Sequence, residues 1–223
     1  MTALLASLFP AGVVVEAALP EDENEGLLRP EEARWLPPMV PARRREFTAG
    51  RNAARRALAR LGVPAAAIDR HPGDRDPVWP DGVVGSISHA GGRVAVACAL
   101  AQAFAAIGLD IEEAGPLAPE IVGTVCRPDE LAALAGSAPP APSDWPKLLF
   151  AAKESAYKAW FPVTRAPLEF RHMVLAVDAA GRRFRARVEH EAARALVAGG
   201  LALEGRFGWD PSLVAAGAVL VRR

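Results

Sequence analysis

Two short stretches carry acids at spacings that can do chemistry. In Gly108-Leu109-Asp110-Ile111-Glu112, alternation along an extended strand puts Asp110 and Glu112 on one face and Leu109 and Ile111 on the other. Two carboxylates about 7 Å apart, two residues at ~3.3 Å each, suit one divalent cation. Hard oxygen ligands favour Mg²⁺ over zinc. The plain alternative is a solvated strand face bearing two acids, and Glu113 reads as a solvated turn residue. In Phe150-Ala-Ala-Lys153-Glu154-Ser155-Ala156-Tyr157-Lys158 the spacing is helical. Lys147, Ala151, Glu154 and Lys158 share one face, while Leu148, Leu149, Ala152, Ala156 and Ala159 cover the other. An ordinary amphipathic helix has the same pattern, with Glu–Lys pairs worth about 0.3–0.5 kcal/mol each. Beside the first stretch the pattern gains meaning: Glu154 can be a third oxygen ligand, and the lysines can meet phosphate charge.

Two further stretches fit a phosphate-bearing ligand. Arg43-Arg44-Arg45-Glu46-Phe47-Thr48-Ala49-Gly50-Arg51 supplies guanidinium forks that match phosphate oxygens in bidentate fashion. It also describes a solvated basic helix face that offsets the acidic 16–32 segment. Gly85-Ser86-Ile87-Ser88-His89 pairs serine with histidine but lacks the second glycine of a nucleophile elbow. His89, following a strand, can donate to a phosphate or serve as a structural histidine.

These residues need elements to hold them. Phe47, Ala54, Leu58 and Leu61 recur at helical spacing and predict a helix over 42–61, stopped by Gly62 and Pro64. Val13–Ala17, Val83–Ser88, Arg93–Leu100 and Phe104–Glu112 read as strands. Ala135–Pro142 is a loop. Ser143 or Asp144 caps a helix with Pro146 in its first turn, running to about Trp160. Leu168–Val177, Arg183–Glu189, Leu203–Trp209 and Leu213–Val221 read as strands, with a hairpin turn at 178–181. Helices and antiparallel strands without a βαβ rhythm predict an α+β fold.

Composition bounds the rest. The chain has 223 residues, 51% apolar and 23% charged, which excludes global disorder. Net charge is zero, so no overall field draws it to nucleic acid or an anionic membrane. Zero hides a dipole: residues 16–32 hold seven acids against Arg29, and residues 42–60 hold seven arginines against Glu46. Two cysteines make neither a disulfide framework nor a zinc site. No apolar run reaches membrane-spanning length, and a soluble cytoplasmic protein is expected. The only three lysines, Lys147, Lys153 and Lys158, stand together among 23 arginines.

Taken in order, the four stretches resemble the 4'-phosphopantetheinyl transferases of the Sfp/EntD type, enterobactin-type members and actinobacterial relatives above all. The match spans roughly residues 40–175. The resemblance implies two similar α+β subdomains in pseudo-twofold arrangement with the active site between them. Residues 1–103 would form the half on the 3'-phosphate side of coenzyme A, and 104–223 the half with the metal and catalytic motifs. It implies transfer of the phosphopantetheine arm of coenzyme A to a serine of an apo acyl- or peptidyl-carrier protein. Adenosine 3',5'-bisphosphate would be released, in fatty-acid, polyketide, nonribosomal-peptide or siderophore biosynthesis. It places Mg²⁺, with Mn²⁺ as alternative, on Asp110, Glu112 and Glu154. Glu154 would be the base, directly or through water. Lys158 would face the diphosphate, and Lys153 would hold phosphate and orient Glu154. Arg43, Arg51 and His89 would hold the 3'-phosphate, with Ser88 and Arg75 nearby. The family's usual tryptophan is Phe150 here, and Ser155 stands where many members have alanine. A monomer with no nucleic-acid or membrane partner is expected. A non-catalytic coenzyme A or carrier-protein binding module, and a nucleic-acid-binding protein using the 43–60 arginines, stay open as other readings.

Overall fold

The computed structural model describes residues 1–74, 76–140, 142–191, 193 and 201–222. The chain starts with α1 (Thr2–Ser7) and β1 (Val14–Ala18), then two short 3₁₀ turns and α2 (Pro30–Ala33). The long helix α3 (Pro41–Arg60) precedes β2 (Asp69–Arg70), β3 (Pro77–Val78), β4 (Val83–Ala90), β5 (Arg93–Leu100) and β6 (Ala106–Glu113). After α4 (Pro119–Val125) and α5 (Pro128–Leu134) comes a second long helix, α6 (Trp145–Thr164). A 3₁₀ turn (Phe170–His172) leads to β7 (Met173–Asp178), β8 (Arg183–Val188), β9 (Leu201–Trp209) and β10 (Leu213–Arg222). The α+β class expected from the sequence is the one observed.

The strands pair antiparallel in a three-stranded sheet, β1-β5-β4, and a five-stranded sheet, β6-β10-β9-β8-β7, with β2-β3 as a small ribbon. Each large sheet carries one twenty-residue helix. Helix α3 lays Ala49, Ala53, Ala57 and Leu58 on Val94, Val96 and Cys98. Helix α6 lays Leu148, Leu149, Ala152 and Ala156 on Val214, Ala216 and Ala218. A third apolar cluster, including Leu5, Leu8, Ala95, Leu109 and Ile111, binds the sheets to each other. Full burial of a leucine such as Leu109 contributes about 1.5–3 kcal/mol.

The sheets meet at β4 and β6 through side chains. Ser86 Oγ accepts from Leu109 N–H at 3.0 Å, and Ser88 Oγ accepts from Ile111 N–H at 3.3 Å. Buried backbone donors require partners, and two hydroxyls supply them where no ladder runs. The acidic segment closes on α3: Glu16 meets Arg60 at 2.6 Å, Glu23 meets Arg56 at 2.9 Å and Glu25 meets Arg44 at 2.6 Å. Glu32, fully buried, pairs with Arg55 and accepts from Ile68 N–H at 2.9 Å. The dipole read in the sequence is thus neutralised within the fold.

Several elements differ from the sequence reading. Helices α1, α4 and α5 escape it, being one or two turns long. Asp144 is the cap of α6, accepting from Lys147 N–H at 2.8 Å, whereas Ser143 accepts from Gly115 N–H at 3.0 Å. Helix α6 passes Trp160 by a turn, with Phe161 stacked on Tyr157 at 5.5 Å, and ends at left-handed Arg165 (φ 53°). In the β7–β8 hairpin the left-handed residue is Arg182 (φ 51°), its guanidinium 4.1 Å over the Trp209 ring.

Candidate active site

The site is assembled where α6 crosses β6. Leu109 and Ile111 are fully buried against the other sheet, which turns Asp110 and Glu112 toward α6. Gly108 sets how near the helix can come. A Cβ there would lie 1.9 Å from Ser155 O and 2.7 Å from Ala159 N, so any larger residue would push α6 off the strand. At this close approach Lys158 Nζ donates to Asp110 Oδ1 at 2.6 Å and to Ser88 Oγ at 3.1 Å. Ser88 Oγ also donates to Asp110 Oδ1 at 3.0 Å. Lys147 Nζ, one end of the same helix face, stands 3.6 Å from Glu112 Oε2.

A cleft of about 680 Å³ opens over this crossing. Its lining gathers Arg43, Arg51, Ser88, His89, Asp110, Glu112, Glu154 and Lys158, all singled out in the sequence. One end belongs to α3 and β4. There Arg43 Nη1 donates to Glu46 Oε2 at 3.1 Å and lies against His89 Nε2, and His89 Nδ1 is 3.3 Å from the same carboxylate oxygen. Arg51 is buried, its guanidinium 4.3 Å over the Phe47 ring and its Nε without a partner. Burial lowers its pKa to about 10, still cationic at neutral pH. Burial, then the Arg43 charge, lowers the His89 pKa, with Glu46 acting against them. A neighbouring hollow of about 880 Å³ shares Glu154, Tyr157 and Lys158 and has Trp79, Ile87 and Phe161 in its walls.

The other end is acidic and electrostatically unfinished. Asp110 is 3% exposed, and its Oδ2 is buried with no hydrogen-bond partner. Burial and then the Asp110 charge push the carboxyls of both Glu112 and Glu154 above the usual range. Among the described residues, no three His, Cys, Asp or Glu side chains stand gathered as a formed metal centre. The donor types nonetheless suit a hard divalent cation: three carboxylates line one cleft, the Asp110 charge acts against the other two, and one Asp110 oxygen is buried with no partner.

Lys153 corrects the sequence reading. It is buried at 1% exposure, and its ammonium donates to Glu130 Oε2, Val125 O and Phe170 O at 2.7, 2.8 and 3.3 Å. An ammonium has three protons, and here all three are used away from the cleft, so it cannot hold phosphate. Ser88 lies in the cleft, with its hydroxyl proton given to Asp110 Oδ1. Arg75 lies outside the described residues. The sequence reading missed Glu46, which had a motif position but no role, and Glu130. The available signal for Glu130 was an acid two residues after Pro128 at a helix start.

Comparison with known families adds a second line of observation. The family described as 4'-phosphopantetheinyl transferase N-terminal domain matches residues 31–99, and the 4'-phosphopantetheinyl transferase superfamily matches residues 106–206. The chain is 43% identical over 189 residues to 4'-phosphopantetheinyl transferase Svp of Streptomyces mobaraensis, covering 83% of this chain and 76% of that one. It is 38% identical over 184 residues to 4'-phosphopantetheinyl transferase PptT of Mycobacterium tuberculosis, covering 80% of each. Over 127 residues it is 41% identical to enterobactin synthase component D of Salmonella typhi, covering 53% of this chain and 48% of that one.

Proposed function

This chain belongs to the 4'-phosphopantetheinyl transferases of the Sfp/EntD type, and we propose that its cleft binds coenzyme A lengthwise between the α3 arginines and the α6 carboxylate–lysine cluster. The protein is a transferase that moves phosphopantetheine from coenzyme A to carrier proteins. The meeting of Asp110, Glu154 and Lys158 at one end of a cleft, with Arg43, Arg51 and His89 at the other, carries the reading. Coenzyme A bears a 3'-phosphate and a diphosphate: the arginines of α3 answer the first, and Lys158, with a cation that the carboxylates would hold, answers the second.

In this reading Arg43, Arg51 and His89 take the 3'-phosphate, with charge-assisted bonds from the guanidinium forks. The Glu46 carboxylate holds Arg43 and His89 together before the ligand arrives. Lys158 faces the diphosphate. Its ammonium is already drawn to that end of the cleft by Asp110. The carrier serine Oγ attacks the phosphorus next to the pantetheine arm, a P–O bond to the bridging oxygen breaks, and adenosine 3',5'-bisphosphate leaves. Glu154 accepts the serine proton, directly or through one water. Its burial and the nearby Asp110 charge favour proton uptake. Asp110, Glu112 and Glu154 would hold Mg²⁺ or Mn²⁺, which supplies charge neutralisation on the diphosphate. Lys158 adds fixed positive charge at no reorganisation cost. The hollow beside Tyr157 and Phe161 offers the pantetheine arm an apolar wall.

The division of labour follows the chain, with 1–103 on the 3'-phosphate side and 104–223 on the catalytic side. A cytoplasmic monomer is part of the same reading. Both cysteines are buried and free, as a reducing compartment allows, and no helix among the described residues is long and apolar enough to cross a membrane. The nucleic-acid alternative loses its basis where Arg44, Arg55, Arg56 and Arg60 are paired to acids of the same chain. The test is incubation with coenzyme A, Mg²⁺ and an apo carrier protein, followed by mass spectrometry of the carrier. A gain of one phosphopantetheine arm, lost with a chelator, is expected. Carriers of several acyl and peptidyl types left unmodified would overturn the reading.

A further inference from the structure

Arg165 closes α6 in a backbone conformation that suits glycine. Its φ is 53°, in the left-handed region where helices are commonly ended by glycine or asparagine. An arginine there is strained, and a strained position that persists points to a use for its side chain. The contacts show that use. Arg165 Nη1 donates to Asp76 Oδ2 at 3.0 Å and stands 3.5 Å from Asp74 Oδ2. Its Nη2 lies 3.1 Å from His71 Nε2, and the guanidinium carbon is 5.6 Å from the centre of the Phe161 ring.

The three partners stand in and beside the β2–β3 ribbon, which is anchored away from α6. Asp69 in the ribbon accepts from Trp35 Nε1 at 2.8 Å and pairs with Arg34. Trp79, just after the ribbon, lies over β4 so closely that a Cβ at Gly85 would be 2.3 Å from its ring. Arg165 grips the ribbon from the opposite side, at the end of α6. The ribbon is a wall where the cleft and the neighbouring hollow meet: Pro77 and Ile87 line both spaces, and so do Glu154 and Lys158. We propose that Arg165 is a positioning residue: it fixes the ribbon against α6 and so sets the width of the junction between cleft and hollow. The proposal rests on the reading that coenzyme A lies in the cleft with its arm in the hollow, so that the ligand passes this junction.

The charges themselves add little stability. Arg165 is 44% exposed and Asp74 48%, and water screens pairs of that kind. What they add is placement, from several contacts on one guanidinium. A displaced wall loosens the bound ligand, whereas the reacting groups on α6 and β6 keep their own ties through Lys158 and Asp110. The effect therefore belongs to KM. Nη1 faces both acids, so a single ammonium at that point can serve them too.

Arg165→Gly removes the side chain and suits the left-handed backbone, and Arg165→Lys keeps a cation within reach of the acids. Transfer kinetics, Tm and amide hydrogen exchange over residues 69–79 are measured for both and for the unaltered protein. In Arg165→Gly the KM for coenzyme A is expected to rise about 3–10-fold, with kcat changed by no more than about twofold. Exchange over 69–79 speeds up, and Tm is unchanged or higher because the strain is relieved. In Arg165→Lys the KM stays within about twofold of the original. A lowered Tm with unchanged KM in Arg165→Gly would show a merely structural contact and overturn the proposal. A loss of kcat at unchanged KM would overturn it too, as would Arg165→Lys being as impaired as Arg165→Gly. If the unaltered protein neither binds coenzyme A nor modifies a carrier, the functional reading fails by itself. Exchange then decides the tie: faster exchange over 69–79 in Arg165→Gly supports it, and unchanged exchange overturns it.

Discussion

Two of the lysine–carboxylate pairs on helix α6 are built to opposite rules. Lys153–Glu130 is closed: both side chains are 1% exposed, and every polar atom is satisfied. Lys158–Asp110 is open: the lysine is 29% exposed, Asp110 Oδ2 has no partner, and two further carboxyls nearby are held above their usual range. The same chemistry therefore serves two ends. A finished pair fixes geometry, and an unfinished one stores a demand for positive charge that a ligand can meet. Native folds accept such local frustration mainly where function needs it.

The sharpest way to break this comparison is to remove the open pair's cation. Lys158→Ala is expected to lower kcat by about 10²–10⁴-fold, in the range of other electrostatic and acid–base deletions, with the circular dichroism spectrum unchanged. Lys158→Arg keeps the charge and is still expected to slow transfer by about tenfold or more, because a planar fork does not replace a point charge at this spacing. Truncating the closed pair acts on folding. Lys153→Ala or Glu130→Ala should destabilise by about 3–5 kcal/mol in urea denaturation, leaving a buried charge alone. At the far end of the cleft, Arg43→Ala removes a proposed ligand contact together with an exposed pair to Glu46. The KM for coenzyme A should rise by about 10- to 150-fold with little change in kcat, as loss of a charged hydrogen bond worth about 1.5–3 kcal/mol requires.

The smallest effect has the opposite sign. A carboxyl whose folded pKa is raised loses stability as pH rises through that value, since the charged form is disfavoured in the fold. Glu112 is such a group, through burial and the Asp110 charge. Glu112→Gln should therefore stabilise the ligand-free protein at neutral pH, by about 0.5–1 kcal/mol, while impairing transfer. A destabilised Glu112→Gln would mean that the acidic end is a finished structural network.

Much of the site was legible in the sequence because its two best signals are periodic. Alternation placed Asp110 and Glu112 opposite Leu109 and Ile111, and the 3.6-residue period aligned Glu154 with Lys158. Neither signal says which way a residue off the main face will turn. Lys153 reads as one more motif lysine until α4, α5 and the 3₁₀ turn before β7 close around it, and those contacts span 17 to 28 residues of sequence. Glu130 was missed for a different reason: a seven-residue helix offers too few turns for a periodic signature, leaving only an acid soon after Pro128 to mark it. Gly108 had no role in the sequence reading, and its need for no side chain appears only when Ser155 O lies 1.9 Å from where a Cβ would be. The arginine-rich helix allowed two readings in the sequence, a grip for phosphate and a basic face offsetting the acidic 16–32 segment, and the fold divides its arginines: Arg43 and Arg51 line the cleft, while Arg44, Arg56 and Arg60 pair with that segment.

If the open end of the cleft performs transfer and Glu154 takes the proton, Glu154→Gln separates binding from chemistry. With coenzyme A binding and carrier modification followed in the same sample, coenzyme A should bind about as tightly as to the unaltered protein while the apo carrier gains no phosphopantetheine arm. A carrier that acquires its arm from Glu154→Gln at an undiminished rate would contradict this role for Glu154.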